Sequence, residues 1–111
     1  MSETYTTGSW TPNPGREEAF IEAWCEFAAW ASSRPGAGTL RLVRNLSEPN
    51  RFVSFGSWET IEAVRAWKAS PEFRERMARV LQHVGEFRPS ELELVASADA
   101  GVTTRHAPAP A

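Results

Sequence analysis

The order of segments along the 111 residues predicts an α+β domain of the split βαβ, or ferredoxin-like, kind. Four segments have the composition or the two-residue alternation of strands, and two regions repeat apolar residues with the helical period of 3.6. Their order is strand, helix, strand, strand, helix, strand. This order predicts a four-stranded antiparallel sheet with helices on one face.

The first strand and the first helix are separated by a strong break. Residues Thr4 to Trp10 are rich in Thr and aromatic residues, which favours a strand, and the TPNPG segment at 11–15 ends it. A helix is predicted from Arg16 to about Ser33. Its apolar face comprises Phe20, Ala23, Trp24, Phe27 and Ala31. Pro35 cannot continue the backbone hydrogen bonds and ends the helix.

The middle of the chain predicts an antiparallel hairpin. One strand runs from Thr39 to Leu46 and the next from Arg51 to Gly56, with the turn residues SEPN at 47–50 between them. Arg44 interrupts the leucine-lined side of the first of these strands.

The second helical region is predicted to be broken near Ala69. We expect Ser57 to cap its first part, and Ser70 followed by Pro71 indicates a fresh helix start. Gly85 is predicted to end the second part, which carries Met77, Val80, Leu81 and Val84 on its apolar side. A last strand follows from Arg88 to Ala96. The sequence therefore predicts one domain over residues 1–96 and a disordered Ala- and Pro-rich tail over 97–111.

Composition excludes several classes of function. Twelve Lys and Arg against fourteen Asp and Glu give a net charge of −2, which argues against non-specific nucleic-acid binding. One cysteine excludes an internal disulfide, and we expect Cys25 to be a small buried residue. The histidine spacing forms no metal-binding pattern, so no metal is expected. No membrane-spanning run or signal pattern is present, and we expect a cytoplasmic protein.

The predicted sheet carries apolar residues on both faces, and the helices cover only one of them. Val43, Val53, Phe55 and Val95 belong to one phase of the alternation, and the other phase is leucine-rich, including Leu92 and Leu94. A second copy of the chain is the simplest cover for the free face. We therefore expect a homodimer that pairs sheet against sheet.

Four stretches of the sequence resemble the antibiotic biosynthesis monooxygenase (ABM) family. They are WTPNPGREEAFI at 10–21, PGA at 35–37, RFVSFGSW at 51–58 and AWKASPEF at 66–73, and the resemblance spans roughly Thr6 to Val95. It implies a ferredoxin-like protomer in a dimeric α+β barrel. It also implies cofactor-free oxygenation, in which a deprotonated aromatic substrate supplies the electrons to O2 and the protein supplies a dry pocket and a stabilised anion.

The resemblance also permits a comparison with the haem-degrading branch of this superfamily. That branch uses an Asn in the first strand, a Trp in the second helical region and a His as iron ligand. Trp67 matches the Trp, whereas Gly8 stands at the Asn position and Met77 at the His position. Methionine ligates haem iron in some proteins, but on an apolar helical stripe it is usually a core residue.

The aromatic residues and a few polar ones are the candidate site. Five Trp and six Phe are more than a small core needs, so some should line a pocket for a planar ligand or an interface. The candidate substrate-binding residues are Trp24, Phe27, Trp58, Trp67, Phe73 and Met77, each of which also has a purely structural interpretation as a core residue.

Two polar residues are candidate catalytic groups. His83 is the general-base candidate, although a position near a helix end also suits a histidine that only complements the helix dipole. Arg44 either stabilises an oxyanion or pairs with Glu91 or Glu93 across the dimer. The main hypothesis is a cofactor-independent monooxygenase acting on a planar phenolic or polyketide-like compound. The alternatives are a non-catalytic binder of quinones or other aromatic compounds on the same scaffold and, less favoured, a haem-binding or haem-degrading protein.

Overall fold

A computed structural model describes residues 3–106 and contains the predicted α+β architecture. The elements of the main domain are β1 (Thr4–Pro12), α1 (Glu17–Ala31), β2 (Ala37–Arg44), β3 (Phe52–Trp58), α2 (Ile61–Ala69), α3 (Pro71–Leu81) and β4 (Val84–Glu93). The strands form one antiparallel sheet in the order β2-β3-β1-β4. The ferredoxin-like prediction is confirmed.

The helices bury their apolar faces against one side of this sheet. Phe20 of α1, Val64 of α2 and Val80 of α3 are completely buried. Opposite them lie the inward residues of the two central strands, with Trp10 paired to Phe52 and Thr4 paired to Trp58 in the β1–β3 register. Burial of such side chains contributes about 1.5–3 kcal/mol each and holds the layers together.

The predicted break in the second helical region is confirmed. The Ser70 hydroxyl accepts a hydrogen bond from the Phe73 N–H at 3.2 Å, and Pro71 occupies the first turn of α3. The predicted cap Ser57 is wrong, because β3 continues through Trp58 and Thr60 caps α2 by accepting from the Ala63 N–H at 3.1 Å. Strand pairing with β1 outweighed the capping signal at Ser57.

The last strand starts earlier than its alternation predicts. Helix α3 ends at Leu81, and Gly85 lies inside β4, whose first residues pair with Thr11 and Pro12 across a bulge. In the β1–β4 register Leu92 pairs with Tyr5, on the face away from the helices. Leu92 therefore belongs with Val43 and Val53 rather than with the inward leucines of β2.

A hairpin stands where a disordered tail was predicted. Strands β5 (Ala96–Asp99) and β6 (Val102–Arg105) form their own two-stranded sheet. Ala100 and Gly101 both have positive φ, at 51° and 82°, which is the backbone twist that closes a two-residue hairpin. The prediction of disorder is wrong for this segment, and its remainder at 107–111 lies outside the described residues.

Candidate functional site

A cavity of about 190 Å³ lies between the sheet and the helices. Its walls are mainly aromatic. Six aromatic side chains line it from the helices or from the helix-facing side of the sheet: Trp10, Trp24, Phe27, Trp67, Phe73 and Phe87. The cavity is thus apolar, as pockets for planar organic ligands are.

The broken helix builds one wall of this cavity. Trp67 lies in the last turn of α2, and Phe73 lies in the first turn of α3. The turn at Ser70 brings their rings edge to face, with centroids 4.8 Å apart. Phe27 of α1 packs on both, at 5.8 Å from each. The three rings pack against one another and form one continuous aromatic wall.

Two indole N–H groups orient hydroxyls on the sheet side. Trp10 Nε1 donates to Ser54 Oγ at 2.9 Å, and Trp58 Nε1 donates to Thr6 Oγ1 at 3.1 Å. Each hydroxyl that accepts an indole hydrogen keeps its own O–H for a second partner. Because Ser54 and Thr6 both line the cavity, both are placed to donate a hydrogen bond to an oxygen of a bound ligand.

Lys68 is the ionisable residue of the cavity lining, as far as the structure describes the chain. Its ammonium group lies 3.1 Å from Glu91 Oε2, and its side chain is 29% exposed. Pro89 nearby is also exposed, so these residues mark the rim where the cavity meets solvent. Because an ammonium has three N–H donors, Lys68 keeps donors for a ligand oxygen beside its bond to Glu91.

Most of the candidate substrate-binding residues lie at this cavity. Trp24, Phe27, Trp67, Phe73 and Met77 line it. Trp58 does not; it is 1% exposed and packs behind Trp67, with ring centroids 4.6 Å apart.

The two candidate catalytic residues lie elsewhere. His83 sits in the turn between α3 and β4, where its Nδ1 accepts a hydrogen bond from Arg16 at 2.6 Å. Arg44 places its guanidinium 4.8 Å from the Phe52 ring and borders a surface cleft with Glu17 and Glu18. Glu91, one predicted partner of Arg44, is paired with Lys68 instead. Neither candidate lines the cavity, so we assign no step of the chemistry to them.

The sequence offers Ser54 as a candidate hydrogen-bond donor but leaves open which face of the sheet it lies on. It gives no signal for Lys68 and Thr6 as site residues, and it misplaces Cys25. Their roles depend on partners 23 to 52 positions away in the chain, and no local pattern signals such pairs. Cys25 lies on the exposed side of α1, so the prediction that it is buried is wrong. Its neighbours Trp24 and Phe27 take the buried positions of that helix turn.

Gly8 marks the closest approach of backbone and cavity wall. A Cβ atom at this position would lie 2.8 Å from Trp10 Nε1 and 2.9 Å from both Ser54 Oγ and a Phe87 ring carbon. An Asn side chain, which the haem-degrading pattern places here, would collide with the same three groups. The packing of this chain therefore disfavours the haem-degrading arrangement.

Replacing Gly8 with alanine is expected to weaken ligand binding at the cavity at least about tenfold and to cost about 1–3 kcal/mol of stability through overpacking. The added methyl would push Trp10 off Ser54. Tryptophan quenching by a hydroxyanthrone and thermal unfolding measure the two effects. Asp99→Glu adds one methylene group at an exposed position of the hairpin, outside the cavity lining, and is the control. Unchanged affinity in Gly8→Ala would show that ligands do not use this cavity.

Some site types have no support in the described part of the chain. Within residues 3–106 no group of three or more His, Cys, Asp or Glu residues converges on a metal position. Over the same residues, none of the helices combines the length and the apolar character needed to cross a membrane.

The structure is a small α+β domain with an aromatic-lined cavity, and sequence comparison supplies the family. Residues 5–79 match the family model for antibiotic biosynthesis monooxygenase. That match covers more than half of the chain, and the protein belongs to this family. No curated protein sequence matches the chain.

Solved structures share the fold at low sequence identity. SnoaB, a cofactor-independent oxygenase from Streptomyces nogalater, was solved as a variant and superimposes with a TM-score of 0.75 at 20% identity, over 83% of this chain and 92% of its own. A proposed antibiotic biosynthesis monooxygenase from Bordetella bronchiseptica gives 0.74 at 21% identity, over 85% and 96%. A conserved protein from Methanosarcina mazei gives 0.75 at 12%, over 83% and 92%. At these identities the similarity establishes the fold alone.

Proposed function

We propose that this protein is a cofactor-independent monooxygenase that oxidises a small planar phenolic or polyketide-like compound with O2. The observation that carries the proposal is the composition of the cavity wall, which is mainly aromatic. Its polar groups include the hydroxyls of Ser54 and Thr6, which indole N–H groups orient, and the ammonium group of Lys68. Family membership and the resemblance of the fold to SnoaB support the reaction class.

The proposed chemistry needs a deprotonated substrate. The Lys68 ammonium and the Ser54 hydroxyl stabilise the substrate oxyanion and so favour loss of its proton to solvent at the rim. The anion then transfers electrons to O2, and a C–O bond forms to give a hydroperoxide at carbon. Loss of water from that hydroperoxide leaves a carbonyl, so a hydroxyanthrone plus O2 gives an anthraquinone plus H2O.

The cavity volume limits the substrate. About 190 Å³ lies below the roughly 300–1,000 Å³ of typical drug-sized sites. A ligand of one or two fused rings fits within the closed part. A third ring extends past the rim between Lys68 and Pro89, where solvent-exposed side chains leave room.

The direct test is oxygen uptake by the purified protein with a hydroxyanthrone or a 1,4-dihydroxynaphthalene and no added cofactor. With the hydroxyanthrone as substrate, we expect saturable uptake of one O2 for each molecule converted. Saturable tryptophan quenching without uptake above the protein-free rate would contradict the oxygenase proposal. It would favour the second candidate, a binder of aromatic compounds. That candidate has one observation in its favour: the lining residues include no carboxylate or imidazole to act as a base.

The proposed assembly is a homodimer through the outer face of the sheet. Val43, Val53, Phe55 and Leu92 lie on that face and are 37–48% exposed. Tyr5, which pairs with Leu92, has its pKa raised by desolvation and by the neighbouring Glu3 carboxylate, so its hydroxyl is neutral at pH 7. Apolar side chains spread over four strands favour burial against an identical surface.

A charge placed in this outer face is expected to separate the dimer. Light scattering of the unmodified protein should give twice the 12.3 kDa chain mass. Val53→Glu should raise the dissociation constant by at least about 100-fold, because each copy would bury an unpaired carboxylate. Val102→Glu, on the exposed hairpin, is the matched control and should stay dimeric. A monomeric mass for the unmodified protein at micromolar concentration would contradict the assembly.

A further inference from the structure

A second cavity, of about 330 Å³, lies between α2 and the end of α1. It is enclosed by the end of α1, the loop that leads to β2, helix α2 and the start of α3. Its aromatic lining is Trp30 and Trp67, and its polar lining is Arg34, Glu59, Ser70 and Glu72. Trp67 is shared with the first cavity, whereas Trp30 and Arg34 are not. The chemistry proposed above makes no use of this second space.

Three buried N–H donors without an acceptor belong to these lining residues. They are Trp30 Nε1, Arg34 Nε and Trp67 Nε1, and they are the buried side-chain polar atoms without a hydrogen-bond partner within residues 3–106. By contrast, the indoles of Trp10 and Trp58 both have hydroxyl acceptors. Buried donors in folded proteins are almost always paired with protein or with ordered water, so three orphans among the lining residues of one cavity favour an acceptor bound there.

The guanidinium of Arg34 gives the cavity a position for an anionic acceptor, although Glu59 and Glu72 also line it. The Arg34 guanidinium has no carboxylate within 4.0 Å in the described chain; its Nη2 donates to Ser33 Oγ at 3.2 Å, and its carbon lies 5.5 Å from the Trp30 ring centroid. Glu72, which also lines the cavity, is partly neutralised by Arg76 at 4.0 Å. The other lining carboxylate, Glu59, belongs to an exposed residue.

We propose that this second cavity binds a small aromatic carboxylate. A carboxylate has four lone-pair positions and accepts two parallel hydrogen bonds from a guanidinium, so it matches Arg34 and has capacity for an indole N–H. Pro35, Ala63, Ala66 and the Trp67 ring supply the apolar walls for the aromatic body. The face of Trp30 is already occupied by the Arg34 and Arg76 cations, at 5.5 and 5.1 Å, which excludes a cationic ligand there. The site is independent of the oxygenase proposal.

Indole N–H resonances report directly on the orphan donors. We would titrate the ¹⁵N-labelled protein with benzoate, using benzyl alcohol as the uncharged comparison, and assign each of the five indole signals with single Trp→Phe variants. Benzoate is expected to shift the Trp30 signal saturably. The Trp10 signal reports binding to the first cavity separately, and Trp67 lines both cavities. Benzyl alcohol is expected to bind at least about tenfold more weakly, because it cannot form the charge-assisted pair.

Variants of Arg34 test the assigned contact. Arg34→Ala should weaken benzoate binding at least tenfold, and Arg34→Lys, which keeps the charge without the planar fork, should weaken it less. Arg65→Ala removes the same charge from an exposed position of α2 and should bind normally. The proposal is overturned if benzoate leaves the Trp30 signal unmoved, if benzyl alcohol binds equally well, or if a folded Arg34→Ala keeps full affinity. The first two results need no Arg34 variant, so loss of folding in Arg34→Ala leaves the test intact.

Discussion

Replacing Lys68 with methionine is expected to lower the rate of cofactor-free oxygen uptake by about 10²-fold, the usual effect of removing one donor that stabilises a developing oxyanion. Methionine keeps the length of the apolar stem and removes the charge at the rim. The loss should fall mainly on kcat, because the ammonium group stabilises the reacting anion more than the neutral ligand. Oxygen-electrode rates over a range of substrate concentrations separate kcat from KM.

The pH dependence supplies a second readout for the same variant. A cation near the substrate hydroxyl lowers the substrate's pKa, so its removal should move the rising limb of the pH–rate profile to higher pH by about 1–3 units. Arg65→Met removes one positive charge from the exposed side of the same helix and should retain the rate and the profile. If the Lys68→Met and Arg65→Met rates were alike, Lys68 would have no part in the reaction.

Replacing Trp58 with alanine is expected to lower the free energy of unfolding by about 3–5 kcal/mol and the Tm by at least about 10 °C. Trp58 is 1% exposed, its ring packs on Trp67, and its N–H is bonded to Thr6. Removing the ring leaves a cavity behind the aromatic wall. It also leaves the Thr6 hydroxyl without its donor. Denaturant unfolding at one fixed protein concentration measures the change.

A conservative variant separates the packing of Trp58 from its hydrogen bond. Trp58→Phe keeps most of the ring and should cost only about 1–2 kcal/mol, near the value of one buried hydrogen bond plus the lost ring volume. If the free energy of unfolding of Trp58→Ala lay within about 1 kcal/mol of the value for the unmodified chain, the neighbouring side chains would have filled the space of the ring with little loss of stability. The rings behind Trp67 would then have no structural role in the cavity.

Most of the main fold was predictable from local patterns. The alternation in β2 and β3, the helical stripe through Phe20 and Phe27, and the Ser70–Pro71 start are each complete within one stretch of chain. The errors in the predicted fold occurred where the start or the existence of a strand depends on the strand that pairs with it. β4 begins at Val84 because β1 extends to Pro12 beside it. The hairpin at 96–105 forms because Ala100 adopts a positive φ, for which alanine carries no strong signal.

The candidate site divides in the same way. Trp67, Phe73 and Met77 were predictable as members of a pocket or core. Aromatic and apolar residues in excess of what a small core needs are expected to line a pocket or an interface. Polar groups gave no such signal. His83 and Arg44 are chemically suitable residue types, yet their elements hold them beside Arg16 and Phe52, outside the cavity lining.

By itself the sequence determined the order of strands and helices, the broken helix and the supply of aromatic rings, because each depends on residues a few positions apart. The tertiary structure alone decided which polar groups meet those rings. Trp10 reaches Ser54 across 44 positions and Lys68 reaches Glu91 across 23. Such pairs depend on strand order and register, in which a shift of one residue moves every side chain to the opposite face of the sheet.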